Sequence, residues 1–138
     1  MNVHEAIQEA QALLPGEPVA EGQPVAEGQQ DPRWQAIIAV GEYVETEPQA
    51  IWEFVRNWGG HHQEDLRDAI ATCLLEHLLE YHFSAIFPEV ESLALSERLS
   101  ADMFLRCWKF GQSKEYSNAQ QFDQLSSRLI KHHSLSAA

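Results

Sequence analysis

The sequence predicts an all-helical protein of stacked antiparallel hairpins, and three observations carry that expectation. Apolar residues recur at helical spacing through most of the chain, with no sustained alternation of the strand kind. Helix punctuation is dense: Asp31-Pro32 and Asp65 open apolar runs, Pro48 opens another, and Gly59-Gly60 closes one. A set of residues also returns at an offset of 34, so one hairpin resembles the next. At 138 residues the chain suits one domain with a single core.

Taken in order, Val3, Ala6, Ile7, Ala10, Leu13 and Leu14 predict an amphipathic helix within residues 1–14. Residues 15–30 read as a linker. Pro15 and Gly16 end the helix, and the hexapeptide PVAEGQ at 18–23 recurs at 24–29, too rich in Pro, Gly and Glu to repay ordering by burial. The folded repeat region is expected over 31–138. Asp31 can accept from free amides and Pro32 suits the first helical position, so a helix should run to about Glu45. The next starts near Thr46 and Pro48 and carries the stripe Ile51, Trp52, Val55 and Trp58.

The middle of the fold is expected at Glu64 to Phe83, apolar on most sides and therefore enclosed by other helices. On a straight α-helix its stripe is Leu66, Ile70, Cys73, Leu74 and Tyr81, with His77 near the centre as a hydrogen-bonded core residue. Leu75 and Leu79 project the other way and should be covered by a neighbouring helix. A further hairpin is expected from Ser84 to about Leu95 and from Ser96 or Ser100 to Phe110. Ser117 to His133, with Phe122, Leu125 and Leu129 facing inward, supplies a capping helix.

The offset of 34 aligns Asp31, Arg33, Ala36, Ile37, Ala39 and Val40 with Asp65, Arg67, Ile70, Ala71, Cys73 and Leu74. A third copy reaches Ala101, Phe104, Leu105, Cys107 and Trp108 without the Asp and Arg. These residues resemble the second helix of HEAT repeats over roughly 31–111, which places the chain beside the armadillo-type helical repeat proteins. The resemblance implies an α-solenoid of about three repeats. It also implies a structural ladder between neighbouring units formed by Asp31, Arg33, Asp65 and Arg67.

Charge and composition narrow the function classes. The net charge is −12, and residues 1–65 hold 12 acids against two bases, while 66–138 hold nine against seven. An acidic front half repels phosphates, which argues against nucleic-acid binding and favours a cationic protein partner or simple solubility. No apolar run approaches the roughly 20 residues of a membrane span, and the N-terminus carries acids where a signal peptide needs bases. A cytoplasmic protein without membrane contact is the expectation. Cys73 and Cys107 lie in apolar patterns with no metal-ligand spacing and read as reduced, buried thiols.

No complete catalytic signature is present. His77 and His82 are spaced i, i+5, which does not suit a ligand pair on one helix; His77 with Glu80 is the only well-spaced pairing, with His61 or His62 as additions from a turn. No metal, cofactor or catalytic residue is therefore assigned. Trp and Arg concentrate at interface hot spots, which makes Trp34, Trp58, Arg56 and Arg106 the candidates for partner binding. Arg106, Lys109 and Lys114 beside Trp108 and Tyr116 form a small basic aromatic patch, most simply a solvated face. The leading expectation is a non-enzymatic protein-interaction module. The alternatives are an acidic immunity-type inhibitor of a basic toxin, and an enzyme or lyase-like helper using His77 and Glu80.

Overall fold

The computed structural model describes residues 1–16 and 31–135. The described residues are helical with connecting turns and contain no strand. The tandem PVAEGQ expected as a linker lies outside the described residues. Helix α1, Val3–Leu13, is capped by Asn2, whose side chain accepts from the Glu5 amide at 2.9 Å. It buries Val3, Ala6 and Ala10 and packs on α2, Pro32–Gly41. Asp31 caps α2 by accepting from the Arg33 amide at 2.9 Å, with Pro32 in the first turn.

Helix α2 stops at Gly41, short of the expected Glu45. The amides of Glu42, Tyr43 and Val44 bond three residues back, to Ala39, Val40 and Gly41, so the helix tightens into turns that still bury Val44. Pro48 disfavours helical backbone at Glu47, which sits at φ −131° and ψ 55°. Helix α3, Pro48–Trp58, then buries Ile51, Trp52, Phe54 and Val55 and is capped by Gly59.

The central element differs most from the expectation. Helix α4, Glu64–Ile70, passes through a π-helical turn, Ala71–Leu75, into α5, Glu76–Ser96, and the expected boundary between two helices near Phe83 and Ser84 survives within α5 as a kink at His82. The π turn carries one extra residue, which rotates everything after it by about 100° relative to a straight α-helix. Leu66, Ile70 and Leu74 face the core before and within it, and Leu75, Leu78, Leu79 and Phe83 face the core afterwards. The expected burial of Leu75 and Leu79 is observed, since both are fully buried. The expected core position of His77 is not: its side chain is 41% exposed, and Tyr81 is turned out with it.

The chain bends at His82, whose backbone leaves the helical region at φ −138° and ψ 42°. Groups freed at this kink find partners in the loop 106–115. Gln112 donates to the Tyr81 carbonyl at 2.8 Å and accepts from the Phe83 amide at 2.9 Å, and the Ser113 hydroxyl donates to the Leu79 carbonyl at 3.2 Å. Helix α6, Arg98–Leu105, ends before the expected Phe110, and a 3-10 turn, Gly111–Lys114, leads to α7, Tyr116–His133. Phe122, Leu125 and Leu129 of α7 are buried as predicted. Successive ring contacts, Phe83 with Phe87, Phe87 with Phe104 and Phe104 with Phe122, join α5, α6 and α7 in one core.

Candidate functional site

Two constellations stand out, one inside and one on the surface. The inner one is a line of arginines across α2, α4 and α6. Arg33, 3% exposed, donates from Nη2 to Asp31 and Asp65 and from Nη1 to Gln63, the last at 2.9 Å, while its Nε is buried without a partner. Arg67 donates from Nε to Asp102 at 2.8 Å and from Nη1 to the carbonyls of His61 and His62 at 2.9 and 3.0 Å. Arg106 completes the line by donating to the same Asp102 oxygen at 3.0 Å and to Glu64 at 2.9 Å. Burial pushes the Asp102 carboxyl up, but hydrogen bonds from Arg67 and Arg106 and their charges outweigh it and hold the group below its ordinary value.

This network has a structural character. The His61-His62 turn offers its carbonyls to Arg67, and His61 Nδ1 accepts from the Gln63 amide at 3.1 Å. Burial, the adjacent His62 and Arg33 lower the His61 pKa, so its ring is neutral at pH 7. Asp102, missed in the sequence reading, lies 34 residues after Asp68, and the same offset extended to that pair is the signal that finds it.

The outer constellation is a face made by α2, α5 and the loop after α6. Among the described residues six large hydrophobic side chains are exposed, and four of them, Ile38 on α2, Tyr81 on α5, and Trp108 and Phe110 in the loop after α6, are carried by these three elements. Ile38, Gly41, Glu42, Thr72, Cys73 and His77 line a shallow depression between α2 and the π turn. A Cβ on Gly41 would stand 3.1 Å from the Cys73 carbonyl oxygen, so glycine permits the two elements to approach this closely. The His77 ring stacks on Phe110 at 6.3 Å between centroids, and its Nδ1 is 2.8 Å from a Glu80 carboxylate oxygen.

The loop carrying Trp108 and Phe110 is fixed at both ends. The Trp108 amide donates to the buried Glu76 carboxylate at 2.9 Å, leaving the indole 73% exposed. Burial raises the Glu76 pKa against the opposing effect of that hydrogen bond. Gly111 has φ +50° and lies so close to α5 that a Cβ would stand 2.7 Å from the Glu80 Cγ. The phenol of Tyr81 is pushed up by the neighbouring charges of Glu80 and Glu45, which places both carboxylates beside this face.

The four candidate partner residues do not gather. Trp34 and Trp58 are half-buried and pack against the core, Trp58 also stacking with His61. Arg56 is exposed beside Trp52 and Glu89, in a small cleft with Ser92 and Ser96. Arg106 is committed to Asp102, Glu64 and Asp68. Within the basic aromatic patch, Lys109 pairs with Asp123 at 2.7 Å, and Lys114 lies 5.9 Å from the Phe110 centroid.

His77 and Glu80 form a hydrogen-bonded pair, and no group of three or more His, Cys, Asp or Glu among the described residues could hold a metal ion. Burial raises the pKa of Cys73 and, much more strongly, of Cys107, which keeps both as thiols at neutral pH. No described helix is long and apolar enough to cross a membrane. Comparison with known proteins gave no matching family model, no matching curated protein and no matching solved structure.

Proposed function

We propose that this chain is a non-enzymatic protein-binding module built as a HEAT-like stack of helical hairpins. The observation that carries the reading is the gathering of exposed Ile38, Tyr81, Trp108 and Phe110 on one face, backed by fixed helices. Exposed aromatics on a rigid surface offer large contact area at small entropic cost, the usual composition of an interface centre. The stacked arrangement draws support from the successive links Arg33 to Asp65 and Arg67 to Asp102, which join α2 to α4 and α4 to α6. Such links hold neighbouring hairpins in register, so that a surface spanning several of them keeps its shape.

The test is crosslinking of the full chain in its native cell, followed by purification and identification of attached proteins. The reading expects a protein recovered in stoichiometric amount; recovery of the chain alone, at crosslinking yields that trap a control complex, overturns it. The net charge of −12 favours a second, narrower reading, that of an acidic inhibitor covering a basic toxin. In that case the captured protein is cationic and loses its own activity when the chain is added back, whereas undiminished activity removes the inhibitor reading.

A further inference from the structure

We infer that the face shared by α2, α5 and the loop 106–112 docks a cationic amphipathic segment of a partner protein, with its apolar side chains on the aromatic floor and its Lys or Arg on an acidic rim. This deepens the binding-module reading and rests on it. The floor is the strip of Ile38, His77, Phe110, Trp108 and Tyr81. Ile38 and His77 line one depression and His77 stacks on Phe110; Tyr81 follows His77 by one helical turn on α5, and the Trp108 amide is held by Glu76 of the same helix.

Two features of the chain create this strip and hold it open. The π turn rotates His77 and Tyr81 out of the core, although a straight helix would bury them. The loop that presents Trp108 and Phe110 is locked by Glu76, by Gln112 at the kink and by the left-handed Gly111. Their exposure therefore belongs to a backbone with well-made hydrogen bonds, so little ordering cost opposes docking.

Charge selects the occupant. Glu42 is exposed at the edge of the depression, and Glu45 and Glu80 stand close enough to the Tyr81 phenol to disfavour its ionisation. Of the cations nearby, Lys109 is held by Asp123, while Lys114 has no carboxylate partner among the described residues and lies over the Phe110 ring at 5.9 Å. That last contact shows the kind of seat an incoming ammonium or guanidinium group finds on Trp108 or Tyr81. A phosphate backbone is repelled by the same carboxylates, and a second copy of the chain brings another −12. A basic segment with an apolar stripe satisfies both floor and rim.

The experiment is a titration of the isotope-labelled full chain, followed by amide NMR shifts, with three synthetic peptides. One is an amphipathic helix of Lys and Leu, the second has Glu in place of Lys, and the third has the first peptide's composition in scrambled order. The Lys/Leu helix should move amides of 38–45, 73–81 and 106–112, and affinity should fall at least about tenfold, the loss of one interface hot spot, in Trp108→Ala/Tyr81→Ala. Glu42→Lys/Glu45→Lys should weaken it similarly and reduce its salt dependence, while the Glu peptide leaves the spectrum unchanged. Unchanged melting temperatures of the variants separate lost contacts from lost fold.

Absence of binding, shifts centred on α3 or α7, equal binding by the scrambled peptide, or undiminished binding by both variants overturns the proposal. A crosslinked partner that stays bound to Trp108→Ala/Tyr81→Ala removes this face and leaves the binding-module reading standing. The absence of any crosslinked partner removes the module reading itself.

Discussion

Replacing Arg67 by Met keeps most of the aliphatic stem and removes the guanidinium that ties α4 to α6. Three hydrogen bonds disappear, one to the Asp102 carboxylate and two to the His61 and His62 carbonyls. A bond to a charged partner contributes about 1.5–3 kcal/mol and a neutral one about 0.5–1.5 kcal/mol. The simple sum is too large, because Asp102 keeps Arg106 and is 27% exposed, and His62 lies on an exposed turn. The expected loss is about 2–4 kcal/mol, checked by urea unfolding followed by circular dichroism, with an unchanged slope showing that only stability has moved. Arg106→Met is the internal control. Its partners Glu64 and Asp68 have side chains 73% and 45% exposed, and its third partner, Asp102, keeps Arg67, so it should cost less than about 1.5 kcal/mol. A loss below about 1 kcal/mol for Arg67→Met, or a larger loss for Arg106→Met, would refute the assignment of Arg67 as the link between these helices.

Four further outcomes are expected. Asp102 has a depressed pKa, so its stabilisation is complete above the unfolded value near 3.8 and disappears as pH falls through the lower folded value; Asp102→Asn should lose stability at pH 7 and show a flatter acid limb below pH about 4 in thermal melts. Glu76 has the opposite sign: its folded pKa lies above 4.5, so the ionised form costs stability at neutral pH and protonation relieves it. Glu76→Gln retains an acceptor for the Trp108 amide and should melt higher than the parent at pH 7, the difference closing near pH 4. Gln112→Ala leaves the buried Phe83 amide and the Tyr81 carbonyl without their partner and should cost about 1–3 kcal/mol by urea unfolding. Gly111→Val combines a left-handed backbone with overlap against Glu80; it should destabilise by more than about 2 kcal/mol and speed hydrogen exchange around the kink.

The helical class, the Asp31 cap, the Pro48 start and the inward face of α7 were legible because each is a local signal, carried by residues within one or two turns. The outward turn of His77 and Tyr81 was not. Periodicity counts residues at 3.6 per turn, and a single π turn defeats it without changing composition. Thr72, which bonds back to the Asp68 carbonyl at 2.9 Å, is a weak mark of altered helix geometry there. The exposure of Trp108 was equally hidden, since an apolar pattern continues past Leu105 while the helix ends, and its anchor is Glu76, far back in the chain. Arg33 and Arg67 were recognised as a pair by their spacing, but Asp102 as the acceptor for Arg67 follows from packing of α6 on α4.

The most direct test of the central claim is hydrogen–deuterium exchange of the full chain alone and bound to the protein recovered by crosslinking. The account predicts protection concentrated in 38–45, 73–81 and 106–112, with α3 and α7 unchanged. Protection centred on α3 or α7, with those three segments exchanging at the free rate, contradicts it.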